Sequence, residues 1–164
     1  MQKITFDPPR PTLTEDMKQT AAVCFVRAHP HIQDDRDVVD VAYDIAEACA
    51  TSILMDGYEL AKKLEDRFDW HIDAQTVSNL DEVSFYMHGQ LRYEESLWVK
   101  THNIQPPFAI GTEVVCRHGH ICKGTITGVS EHEHAAYLIQ IPGEPENNRA
   151  IVKFEDCWME ESAA

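Results

Sequence analysis

The stretch "IQPPFAIG", residues 104–111, divides the chain into two kinds of sequence. Adjacent prolines remove backbone donors and push the residue before them out of the helical region, so no helix runs through this point. Before the break, apolar residues recur at spacings of three and four; after it they fall in short runs rich in Val, Ile, Thr and Tyr. A period of 3.6 and a period of 2 belong to different elements. The sequence therefore predicts an α+β protein. Residues 1–108 should form a helical bundle with an extended proline-rich lead-in, and residues 109–164 a small antiparallel five-stranded β-barrel.

In the first part, "DPPRPTLTEDM" reads as the lead-in, stopping at Thr14, a hydroxyl N-cap followed by Glu15 and Asp16 in the first turn. "HPHIQDD" interrupts the helix that follows. Val38, Val41, Ala42, Ile45, Cys49 and Ile53 then share one helical face, and Gly57 ends or bends that helix. Leu60, Ala61, Leu64 and Phe68 repeat the pattern, and Val77, Leu80, Met87, Leu91 and Trp98 continue it. Four or so helices account for these repeats.

The charge limits what such a protein can bind. With 28 acidic against 14 basic residues the net charge is -14. That repels a phosphate backbone and removes the counterion release that drives nucleic-acid affinity, so the expected partner is another protein with a basic surface. The amino terminus has no apolar leader and no run of about 18 apolar residues occurs, so a cytoplasmic protein without membrane contact is expected. Five cysteines at irregular positions fit reduced thiols better than a disulfide framework. No cofactor is implied.

In the second part, "GTEVV", "KGTITGV", "YLIQI" and "IVKFEDCW" lie within residues 111–160. This segment resembles the small barrels of the KOW and Tudor type. The resemblance implies a five-stranded barrel that serves as a binding module and is rarely catalytic.

Four constellations could carry function. Asp37, Asp40, Asp44 and Glu47 recur at helical spacing and form an acidic stripe, read as a docking surface for a basic partner. The same carboxylates resemble the acidic pairs of all-helical nucleotide pyrophosphohydrolases, which hold magnesium on a triphosphate; Glu65, Asp66 and Asp69 would supply a second wall. Tyr137, Phe154 and Trp158 are candidates for an aromatic cage around a cation. Finally, "CRHGHIC" offers Cys116, His118, His120 and Cys122 as metal ligands. Those sulfurs meet only if a three-residue turn at 118–120 sets Cys116 opposite Cys122, and the histidines then sit in the turn, so no metal is expected. "EHEH" at 131–134 belongs to a different loop. Residues 61–80 echo a helix-turn-helix but leave eleven residues between Leu64 and Thr76, too many for its turn.

The expected function is thus a non-catalytic acidic protein-binding module: an adaptor, a mobile-element accessory protein or an inhibitor that imitates nucleic-acid charge. The alternative is a magnesium-dependent nucleotide pyrophosphohydrolase on the helical part.

Overall fold

Local capping explains where the helices begin. A computed structural model describes residues 4–49 and 55–160. Helix α1 (Glu15–Ala28) starts at Thr14, whose hydroxyl accepts from the Met17 amide. Helices α2 (Val38–Ala48), α3 (Gly57–Phe68) and α4 (Ala74–Leu80) start at Asp37, Asp56 and Asp73, each carboxylate accepting from a first-turn amide. Helix α5 spans Val83–Thr101. Each cap satisfies a donor that the helix cannot satisfy internally. Ile53, expected on the apolar face of α2, lies outside the described residues.

Gly57 opens α3 rather than closing α2. A Cβ there would lie 2.2 Å from the Val77 carbonyl oxygen and 2.7 Å from the Asp81 amide nitrogen. No side chain fits that gap, so only glycine lets α3 begin this close to the end of α4.

Chain contacts divide the protein into two compact units, one of residues 12–93 and one of residues 1–11 with 94–164. The divisions fall before α1 and within α5, whereas composition changes at the prolines. The reason is visible in the packing of the second unit. Trp98 of α5 is 5% exposed and belongs to the core of the sheet, its indole donates to the Pro8 carbonyl at 2.9 Å, and Phe6 meets its ring edge-on at 5.4 Å.

The helical unit closes over Phe25, Val26, Val41, Ile45, Leu60, Leu64, Leu80 and Met87, all at most 1% exposed. Val41, Ile45, Leu60, Leu64, Leu80 and Met87 are positions the periodicity selects, and α1 adds Phe25 and Val26.

The other unit carries a five-stranded antiparallel sheet of β1 (Glu113–His118), β2 (His120–Val129), β3 (Ala136–Gln140), β4 (Ala150–Lys153) and β5 (Cys157–Trp158), in the order β4-β3-β2-β1-β5. The expected barrel is corrected here to an open sheet, because β4 and β5 are its two edges and no ladder joins them among the described residues. The 3-10 turn Phe154–Asp156 carries the chain from one edge to the other, where β5 offers only two residues to pair. A strand so short forms its ladder with β1 and has no length left for closure.

Candidate functional site

Helical spacing puts Asp37, Asp40, Asp44 and Glu47 along α2, but the fold uses them differently. Asp37 is spent on the helix cap, accepting from the Val39 amide at 2.7 Å. Asp44 is 8% exposed: its Oδ2 accepts from Arg36 Nη2 at 2.5 Å and from Trp70 Nε1 at 2.8 Å. Glu47 is half-buried, with Arg67 at 3.8 Å. Asp40, in the first turn of α2, is the one of the four that is exposed with no side-chain hydrogen bond or ion pair among the described residues. Beside it, Val39 and Tyr43 are each 58% exposed. The outer face of α2 is therefore an apolar and aromatic pair next to a carboxylate, not a continuous acidic row.

The same unit holds a cleft of about 340 Å³ lined by His31, Asp34, Trp70, His71, Asp73 and Thr76. His31 Nε2 sits 2.5 Å from Asn79 Nδ2. The Thr76 amide and hydroxyl hold the Asp73 carboxyl below its ordinary range, as a helix cap should. Sequence reasoning missed this cleft because its two histidines are forty positions apart and neither stands in a motif. Glu65, Asp66 and Asp69 are all exposed.

In the sheet unit the register supplies the turn that the Cys/His hairpin requires. Cys116 pairs with Cys122, Arg117 with Ile121 and His118 with His120, around Gly119 at φ 71°. A positive φ suits the residue without a Cβ. The two sulfurs are 3.4 Å apart, and both histidines are exposed at the tip. Among the described residues no group of three or more His, Cys, Asp or Glu side chains converges to hold a metal ion.

The aromatic candidates do not converge on an opening. Tyr137 and Phe154 are 0% and 2% exposed with ring centroids 4.4 Å apart, and the Tyr137 hydroxyl donates to the Phe108 carbonyl at 3.1 Å. Burial raises the Tyr137 pKa, which suits a neutral phenol in a core. Trp158 pairs with Val115 while its neighbour Cys157 pairs with Cys116. Strand alternation therefore sends the indole to the opposite face of the sheet from the Tyr137–Phe154 cluster, so the cage reading is corrected to core packing.

That opposite face carries an open trough of about 570 Å³, lined by Val115, Ile121, Cys122, Lys123, Trp158, Met159 and Glu160. Ile121 is 62% and Met159 51% exposed. The Lys123 ammonium meets the Glu160 carboxylate at 2.5 Å on its rim. The signal for the trough is present in the sequence as Val115, Ile121 and Met159, apolar side chains at positions where a solvated face should be polar.

Comparison with protein-family models, with curated proteins and with solved structures finds no match to this chain. No helix among the described residues is long and apolar enough to cross a membrane.

Proposed function

We propose that the chain is a non-catalytic, cytoplasmic protein-binding module whose helical unit docks a basic partner on the outer face of α2. The observation that carries this reading is the exposure of Val39 and Tyr43, each 58%, beside Asp40. An apolar and aromatic pair flanked by charge is the composition of an interface centre with a steering rim. The surrounding field agrees with it. Residues 12–93 carry 16 acidic against 7 basic side chains, so the negative charge is concentrated on the unit that presents this face.

The sheet unit supports the same class of function. The resemblance of residues 111–160 to KOW and Tudor modules favours a binding role, and the trough beside Trp158 offers it an apolar surface. An adaptor or a charge-imitating inhibitor would use both. The hydrolase reading is less favoured, because Asp37 and Asp44 are already engaged by the fold and would have to give up those bonds to hold magnesium.

The test begins with affinity capture of the partner by the intact chain and proceeds to association kinetics with the captured protein. Association should slow steeply as salt rises, since charges separated by more than about 8 Å are screened at physiological ionic strength. Asp40→Lys should lower the association rate, and Tyr43→Ala should weaken binding by about 1–2 kcal/mol, chiefly through faster dissociation. Unchanged affinity in both variants, or magnesium-dependent release of pyrophosphate from nucleotides by the wild-type chain, would overturn the proposal.

A further inference from the structure

Three of the five cysteines lie at one level across the sheet, with Cys116 on β1 opposite Cys122 on β2 and opposite Cys157 on β5. They are not equivalent. Cys116 and Cys157 are both 0% exposed, whereas Cys122, on the same face as Cys116, is half-buried at the margin of the core. The Cys157 thiol donates to the Lys153 carbonyl at 3.5 Å. Cys116 and Cys122 instead face each other, Sγ to Sγ at 3.4 Å. A disulfide needs its sulfurs to close to about 2.05 Å with the two Cα atoms within about 7 Å, and directly opposed residues of an antiparallel ladder meet that second condition before any backbone moves.

We infer that Cys116 and Cys122 are a dithiol site that a hydroperoxide converts to a cross-strand disulfide. Cys122 is the less buried of the two and takes the oxidant first. Its thiolate attacks one peroxide oxygen, the O–O bond breaks, and the products are a Cys122 sulfenic acid and hydroxide, which takes up the thiol proton as water. Cys116 then attacks the sulfenic sulfur, the S–O bond breaks, and the departing hydroxide leaves as a second water with the Cys116 proton. Two thiols are oxidised, one hydroperoxide is reduced, and two waters balance the step when the oxidant is hydrogen peroxide. Its position 3.4 Å from the Cys122 sulfur makes Cys116 the resolving partner, and the raised pKa that burial and Cys122 give it disfavours its reacting with the oxidant first. The product is a covalently closed hairpin tip carrying His118, Gly119 and His120, with Ile121 of the trough inside the ring.

The chain provides its own readout. Arg117 lies between the two cysteines, so trypsin separates them, leaving Cys116 on the peptide of residues 101–117 and Cys122 on that of residues 118–123. The folded chain, with exposed Cys24 replaced as Cys24→Ser, is treated with hydrogen peroxide, blocked with an alkylating agent, digested and analysed by mass spectrometry without reductant. The expected result is a linked pair of these two peptides, loss of both free forms in parallel, and their full return on treatment with dithiothreitol. Cys157→Ser should leave the linked pair unchanged, and Cys122→Ser should abolish it. The inference is overturned if Cys116 instead links to the peptide of residues 154–164, if Cys122 proceeds to sulfinic acid with Cys116 still free, or if both thiols survive peroxide that has oxidised the methionines.

Discussion

Each unit packs an arginine over a tryptophan and pairs it with carboxylate, yet the two clusters are built to different standards. In the sheet unit, Arg10 lies 5.2 Å from the Trp98 ring centroid and uses all five of its N–H groups. Two go to Glu155, one to Glu95 at 3.2 Å, and one each to the His134 and Ala135 carbonyls at 2.8 Å. In the helical unit, Arg36 lies 5.5 Å from the Trp70 ring and its guanidinium donates, among the described residues, to Asp44 alone, with 42% of its side chain exposed. A buried charge is tolerable only when every donor and acceptor around it is satisfied, which Arg10 achieves through protein groups and Arg36 leaves to water. Arg10 is therefore part of the structure of its unit. Arg36 is a surface residue that happens to cover a tryptophan.

The comparison predicts a hierarchy of losses. Arg10→Ala should cost about 3–5 kcal/mol, because it leaves Glu95, whose side chain is only 4% exposed, with Lys153 at 3.7 Å in place of a hydrogen-bonded guanidinium, and takes a donor from the His134 carbonyl. Urea unfolding should show this as a lower midpoint at constant slope. Asp44→Ala should cost less, about 1–3 kcal/mol: it orphans the Trp70 indole donor, but Arg36 simply returns to solvent. Equal losses in the two variants would show that the clusters differ only in appearance.

The smallest effect should come from pH. Burial alone would raise the Glu155 carboxyl, but hydrogen bonds and charge from Arg10 outweigh it and hold the pKa below its ordinary value. A depressed folded pKa means that stability is fully present above the unfolded carboxylate pKa and is lost as pH falls through the folded value. Acid unfolding should thus weaken first where Arg10 acts, and Glu155→Gln should flatten that acid limb. An unchanged acid limb would place the sensitivity elsewhere.

The same contrast marks what could be read from the chain alone. Thr14 as a cap, the start of α1 and the apolar face of α2 rest on neighbours within a turn, and each is visible in a few residues of sequence. The Cys116–Cys122 register was reachable for the same reason, since a three-residue turn fixes it. Asp44 shows where local reasoning ends. Its spacing puts it in line with Asp40, and only Trp70, 26 positions away, turns one inward and leaves the other out. The open sheet was illegible for a related reason: closure depends on the length of β5, and two residues of strand look no different in sequence from the turn before them. Arg10 gave no sign at all, because its carboxylate partners lie 85 and 145 positions further on.

That separation has a consequence for how the chain is made. Residues 12–93 form a continuous segment that can complete its core while synthesis continues, since all its partners have already emerged. Residues 1–11 precede that segment and must wait through all of it. Their arginine has nowhere to go until Glu155 arrives, 145 positions later. Until then the lead-in remains an unsatisfied length of nascent chain, and the sheet that it finally fastens is assembled after residues 12–93, across a loop that contains all of them.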